Sequence, residues 1–390
     1  MPKKRTAAVA RDRDHSSIEP WSLGRRGPVA NYLSSPSLDN VEAIKRTLSN
    51  TPEVVVKVTG GGREAGAAQA HLSYIDRHGE LDVHTDDGEL LNGKGTAAHL
   101  IDDWGLEESI KKSKRTAPEK DQKDKNGKKV ADYRGKVVHN IVLSMPEGTP
   151  PKAVLRAAQL FARETFALNH RYAMVLHEPD TDPKFERTHA NKNPHVHLVV
   201  KAVGENKERL VIDRQMLQEW REQFAKALRL EGVKANATPA AVRGLGKSSS
   251  KGAIKHHQQR IEAWRDSPQD FTNKPAESEI LTKRTEDAIN EIVNGIKPED
   301  KSKEILVNTR NNVVKEWLEA EASLRQNGFI DVADKVVAFV KNLPPVKTDY
   351  EVYRDSMLAD RARLAAAING GVPREATKAP VKGDDFTIER

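Results

Sequence analysis

The sequence predicts an α+β chain in two parts: strands mixed with helices up to about residue 244, then helices alone from residue 253. Three observations predict it. Short apolar, β-branched runs at 54–58, 137–144, 172–177 and 194–200 alternate with stretches whose apolar residues recur at helical spacing. Asp86-Asp87-Gly88, between apolar runs at 81–85 and 89–91, is a hairpin signature. Beyond a Gly/Ser/Lys linker at 244–252, apolar residues recur only at helical spacing.

Bulk composition narrows the class. A chain of 390 residues can hold two or three domains and a sizeable core. It has no cysteine, which excludes a disulfide framework and a thiolate metal site and fits a reducing cytoplasm. No run of 18 apolar residues exists and no hydrophobic signal core opens the chain, so a soluble protein without membrane insertion is expected. The net charge of +7 and pI near 9.2 are compatible with a nucleic-acid partner.

Residues 1–50 read as a basic arm. Lys3, Lys4, Arg5, Arg11, Arg13, Arg25 and Arg26 supply charge, Pro20, Pro28 and Pro36 prevent long helices, and a short helix fits 40–48. The strand at 54–58 ends in Thr59-Gly60-Gly61-Gly62, where the absence of a following Gly-Lys-Ser/Thr argues against a nucleotide phosphate loop. An alanine-rich helix over 65–76 carries Leu72 and Ile75 on its apolar stripe with Tyr74 beside them, and Gly79 suits a left-handed cap. A helix over 99–110 follows.

Eleven Lys and Arg against four acids then fill 111–136, a solvated loop or a basic flap able to close over DNA. A helix over 151–169 repeats Val154, Ala158, Phe161 and Thr165. A short strand is expected at 210–212, after which Asp213 caps a helix running to 230. The C-terminal helices fall at 253–266, 277–295, 299–326, 329–342 and 349–369 and carry no catalytic constellation.

The chemistry gathers at Pro194-His195-Val196-His197-Leu198. In a strand, residues i and i+2 share a face, so His195 and His197 project together. His177 ends the run 172–177. If that run pairs antiparallel with 194–200, the end of one meets the start of the other and three imidazoles converge. Three neutral imidazoles with open positions suit a divalent metal that also holds a substrate oxygen. The bland alternative is a set of ordinary half-buried strand histidines. His139 reads as a packing residue or a partner to a ligand, and His189 as a bystander in the long connection.

Glycine turn, helix with tyrosine, His139-Asn140-Ile141-Val142-Leu143-Ser144-Met145-Pro146, helix, then Pro194-His195-Val196-His197-Leu198-Val199-Val200: this order resembles the relaxase (mobilisation nuclease) family of conjugative plasmids, which includes the T-DNA border endonucleases. The likeness spans about 54–244, with Leu72-Ser73-Tyr74-Ile75-Asp76-Arg77-His78-Gly79 similar to the nucleophile motif. It implies a central antiparallel β-sheet with flanking helices, the HUH relaxase fold, followed by an all-α C-terminal region. It implies Tyr74 as nucleophile and His177, His195 and His197 as ligands of Mg²⁺ or Mn²⁺, with a tighter transition metal in purified protein. The family often places an acid two residues after the first histidine. Position 179 is proline here, and of Glu178, Asp180 and Asp182 the expectation falls on Asp180.

The resemblance further implies site- and strand-specific nicking of origin-of-transfer DNA, leaving a 5′-phosphotyrosine and a free 3′ hydroxyl. A tyrosine, with an ordinary pKa of about 10, needs help to ionise, and keeping the bond energy in a phosphotyrosine lets the nick be resealed. Single-stranded and hairpin origin DNA, accessory relaxosome proteins and a type IV coupling protein are the implied partners. The protein would act in the bacterial cytoplasm and travel with the DNA to a recipient cell. The expected layout is an arm at 1–50, a nicking domain at 51–244, a linker at 245–252 and a helical recruitment region at 253–390, whose stripe Val313, Trp317 and Leu324 suits docking. Competing readings are a rolling-circle replication initiator or transposase of the same superfamily, a non-catalytic adaptor, and a hydrolytic metal nuclease in which Tyr74 is structural.

Overall fold

The computed structural model describes residues 38–106, 135–179, 182, 192–245, 279–299 and 301–368. Asp180, His189, the expected helix at 253–266, most of the arm and most of the basic stretch at 111–136 lie outside the described residues. The chain divides into compact units at Ser37–Pro239 and Ala240–Val381.

In the first unit, six strands form one sheet: β1 (Val55–Gly60), β2 (Val83–Thr85), β3 (Leu90–Leu91), β4 (Val138–Ser144), β5 (Tyr172–His177) and β6 (His195–Lys201). Their order is β1-β4-β6-β5-β2-β3, and each pairing is antiparallel. Among the described residues, five helices accompany the sheet: α1 (Leu38–Leu48), α2 (Ala65–Ile75), α3 (Thr96–Asp103), α4 (Pro151–Phe166) and α5 (Arg214–Leu230). This is the α+β architecture expected, with the central strands buried on both faces.

Strand alternation builds two cores. Ile141, Leu143, Met174, Val196, Leu198 and Val200 face α4 and α5, where Phe161, Phe166, Trp220 and Phe224 pack edge to face. Val138, Ala173, Val175 and Val199 face the other way, against Ala68, Leu72 and Ile75 of α2 and Leu100, Ile101 and Trp104 of α3. The glycine run permits the crossing between β1 and α2. A Cβ at Gly61 would lie 2.3 Å from the Val138 carbonyl oxygen, and Val137 donates to the Gly62 carbonyl at 2.7 Å.

Local signals hold where the chemistry is local. Asp213 accepts from the Met216 amide at 2.8 Å and starts α5, as an N-cap should. The hairpin forms around Asp86-Asp87-Gly88. Residues 210–212 depart from expectation and are not a strand. Leu210 donates to Ala202, just past the end of β6, at 2.9 Å, but the pairing goes no further and Val211 is 71% exposed. The helix α1 is built into this first unit. Asn236 Nδ2 donates to Thr47 Oγ1 at 3.2 Å and to Thr238 Oγ1 at 2.7 Å, while Glu53 accepts from the Thr238 amide at 2.7 Å. These buried bonds join α1, the approach to β1 and the segment after α5.

The second unit holds α6 (Glu279–Asn294), α7 (Lys301–Gln326), α8 (Ile330–Lys341) and α9 (Asp349–Ile368). Val313, Trp317 and Leu324 are interior here, each at most 1% exposed. Trp317 packs on Phe339 with ring centroids 5.1 Å apart and donates to the Val242 carbonyl at 2.9 Å. The expected docking stripe is therefore this unit's own core.

His139 lies on β4 opposite Val200, on the sheet face away from His197. Burial, then Lys136, pushes its pKa down from 6.5 to about 4, against a hydrogen bond with the Leu210 backbone. Below pH 6.5 the unfolded chain accepts a proton that the folded chain refuses until about pH 4, so this site lowers stability across that window as pH falls. His139→Gln should flatten the pH dependence of unfolding free energy there by up to about one proton. Denaturant titrations from pH 4 to 8 check this; parallel wild-type and variant curves would refute it.

Candidate active site

The register sets the site. β5 and β6 pair so that His177 sits directly opposite His195, and His197 opposite Val175. The three rings stand with centroids 4.5 to 5.1 Å apart. One ligand atom from each lies within 4.8 Å of the others. All three point to the sheet face covered by α2, and His177 and His197 are 1% and 6% exposed.

Burial favours the neutral form of these imidazoles. It holds His177 down to about 3, helped by His195 and Arg77 and opposed by the Ile75 carbonyl and Asp182. Burial likewise lowers His195, and lowers His197 well below 6.5 with help from His177 and His195. His195 Nδ1 donates to the Asn193 carbonyl at 2.9 Å, which leaves Nε2 its lone pair. His197 Nδ1 is buried with no hydrogen-bond partner among the described residues. His195 Nε2 and the orphaned nitrogen of His197 fit a divalent transition-type ion, and His177 would join them by exchanging its Nδ1 contact with Arg77 for the ion.

The C-terminal end of α2 is tied to this cluster. His177 Nε2 donates to the Ile75 carbonyl at 2.7 Å, next to Tyr74 in the chain. Arg77 makes the other ties. Its guanidinium donates to both Asp182 oxygens, at 2.8 and 2.7 Å, to His177 Nδ1 at 3.1 Å and to the Tyr74 carbonyl at 2.9 Å. Its Cζ also lies 5.2 Å from the Tyr74 ring centroid. This placement needs an unusual turn: Arg77, His78 and Gly79 all have positive φ, at 54°, 60° and 90°. Two non-glycine residues in the left-handed region cost roughly 1 kcal/mol each, a strain held by the contacts of Arg77.

Asp182 is the described acid beside the cluster, its Oδ2 3.5 Å from His177 Nδ1. Arg77 and Asp182 are 12% and 9% exposed at the side chain, so the pair is shielded from water. Arg77→Ala should cost about 3–5 kcal/mol, because it leaves a buried carboxylate without its guanidinium. Arg77→Lys should recover only part, since an ammonium cannot make the two-pronged contact. Adding Asp182→Asn to Arg77→Ala should restore stability, as thermal denaturation of the three variants would show. An additive double variant would mean the pair is not coupled.

Of the other tyrosines, Tyr172 is buried in the core on the opposite sheet face. The Tyr350 hydroxyl bonds Glu291 at 2.8 Å, and the Tyr353 hydroxyl bonds Thr285 at 2.7 Å, both in the helical unit. Tyr32 and Tyr133 lie outside the described residues. Tyr74 is the described tyrosine the fold brings to the histidines. The sequence reading missed Arg77 as a bridging residue. It also missed His71, whose ring lies 6.4 Å from Tyr74 and 6.3 Å from His197; its signal was the i, i+3 spacing to Tyr74.

Residues 96–232 match the family model described as Relaxase: MobA/VirD2-like, nuclease domain. The matched span contains His177, His195, His197 and Asp182, and it begins after Tyr74. Among the described residues, no helix is long and apolar enough to cross a membrane. The strands that carry the three histidines lie within the span that matches this relaxase nuclease-domain model.

Proposed function

We propose that this chain is a conjugative relaxase that nicks one strand of origin-of-transfer DNA through a covalent phosphotyrosine. One observation carries the reading: Arg77 donates both to the backbone carbonyl of the helix-borne Tyr74 and to His177, one of three converging imidazoles. A DNA-nicking enzyme is what the family match supports in general. The conjugative target, the tyrosine and the 5′ linkage are the finer reading.

In this reading Tyr74 Oη attacks the scissile phosphorus. The Oη–P bond forms, the P–O3′ bond breaks, the phenolic proton leaves to solvent or a nearby base, and the 3′ oxygen leaves as a hydroxyl after gaining a proton. A divalent ion held by His177, His195 and His197 would neutralise charge on the phosphate's non-bridging oxygens. Arg77 fixes the Tyr74 turn against His177 and sets a positive charge beside the ring where negative charge must gather. The helix orients the ring, so the attacking oxygen is positioned before substrate arrives. Reversal by the 3′ hydroxyl reseals the strand.

Recruitment of the nicked complex to accessory relaxosome proteins and a type IV coupling protein is assigned here to surfaces of the helical unit, since its Val313–Trp317–Leu324 stripe is interior. Cytoplasmic action followed by passage into a recipient cell belongs to the same proposal. The test is direct. Incubate the full chain with Mn²⁺ and labelled single-stranded oligonucleotides tiling the DNA around its own gene, then look for a denaturation-resistant adduct. A cleaved product without any adduct would instead indicate a hydrolytic nuclease.

A further inference from the structure

His71 is the side chain between the nucleophile and the histidine cluster. It stands one turn before Tyr74 on α2, and residues three apart share a helix face. Its ring stacks beside Tyr74 at 23° between planes and meets His197 edge-on at 71°. Its Nε2 is buried and has no hydrogen-bond partner among the described residues. Buried polar nitrogens nearly always have a partner, so an orphan here requires an explanation. A fourth metal ligand is not that explanation, since the mutually close ligand atoms are those of His177, His195 and His197. Packing alone explains the stacked ring but not a polar edge left unsatisfied.

We propose that His71 Nε2–H donates a hydrogen bond to a non-bridging oxygen of the scissile phosphate, making His71 a catalytic residue that holds the phosphate between Tyr74 and the histidine cluster. The inference rests on the nicking reading above. A phosphate attacked by Tyr74 while facing the cluster must pass the ring that touches both. A preplaced donor aimed at oxygens that gain charge in the transition state accelerates the step more than it tightens binding. His71 therefore takes a place that the sequence motif alone assigns to no residue.

The experiment uses the full chain, Mn²⁺ and the tiled oligonucleotide that gives the strongest adduct. His71→Ala should lower the maximal rate of adduct formation about 100-fold while the half-saturating oligonucleotide concentration moves less than about twofold. His71→Gln, which keeps an N–H donor, should recover about tenfold of that loss. A sulfur replacing one non-bridging oxygen gives a second readout. The diastereomer that a thiophilic ion does not rescue should slow the wild type and leave His71→Ala unaffected, because sulfur accepts the same bond poorly. If His71→Ala does not fold, the sulfur effect on wild type and His71→Gln decides, and equal slowing of both proteins overturns the proposal. A wild-type rate in His71→Ala, or glutamine no better than alanine, also overturns it while Tyr74 chemistry stands. If the wild type forms no adduct on any oligonucleotide, the nicking reading fails and this inference with it.

Discussion

Tyr74→Phe should bind single-stranded origin DNA like the wild type and form no covalent adduct, a loss of more than about 10⁴-fold in rate. The substitution deletes one oxygen and keeps the ring. The ring contacts from His71 and from the Arg77 guanidinium survive the change, while the Arg77 hydrogen bond to the phenol oxygen is lost with that oxygen. Arg77 also bonds the Tyr74 backbone carbonyl, which the substitution leaves in place. DNA affinity rests mostly on phosphate contacts from basic side chains and so depends little on one hydroxyl. No other described tyrosine can substitute. Tyr172 is enclosed in the core beyond the sheet, and the Tyr350 and Tyr353 hydroxyls are engaged in the helical unit. Denaturing gels of wild type and variant, with mass mapping of the wild-type adduct, provide the measurement. An adduct persisting in Tyr74→Phe would sink the assignment.

The sheet was legible because strand and helix periods differ, and because a buried strand advertises itself as a β-branched run. The histidine cluster was legible for a narrower reason. The pair at 195 and 197 shares a face by strand geometry alone, and His177 joins once the two runs pair end to start, as His177 opposite His195 does. The bridge from Arg77 was not legible, because it depends on three successive left-handed residues after α2, of which sequence chemistry marks only Gly79. A Cβ on that glycine would lie 2.3 Å from the Gly93 carbonyl carbon, a long-range constraint that no local pattern encodes. The place of α1 was hidden similarly. Its link runs from Thr47 to Asn236 and Thr238, and a buried asparagine looks in sequence like a loop asparagine. The stripe at Val313, Trp317 and Leu324 teaches a related point. Helical periodicity says that a face will be buried; it does not say by what, and here Phe339 of α8 packs on Trp317.

His197→Ala should weaken binding of Mn²⁺ or Co²⁺ by at least about 100-fold and slow adduct formation by about 10³-fold or more at fixed metal concentration. His197 is buried and faces His177 and His195 at centroid distances of 4.5 and 5.1 Å. Removing one of three nitrogen donors leaves two, and two imidazoles hold a first-row ion poorly against water. His195→Ala should behave alike, because its Nε2 lone pair is held ready by the bond to Asn193. His139→Gln is the matched control: it changes a histidine on the neighbouring strand whose side chain lies on the opposite face. Its metal affinity should stay within about twofold of wild type, since no ligand nitrogen is lost. Affinity should rank Mn²⁺ below Co²⁺, and Co²⁺ below Ni²⁺, as imidazole donors dictate. Titration calorimetry reads affinity without reference to nicking, and the visible absorption of bound Co²⁺ reports the donor set. If His197→Ala binds Co²⁺ with wild-type affinity and an unchanged spectrum, the ion sits elsewhere and the cluster is a packed core of histidines.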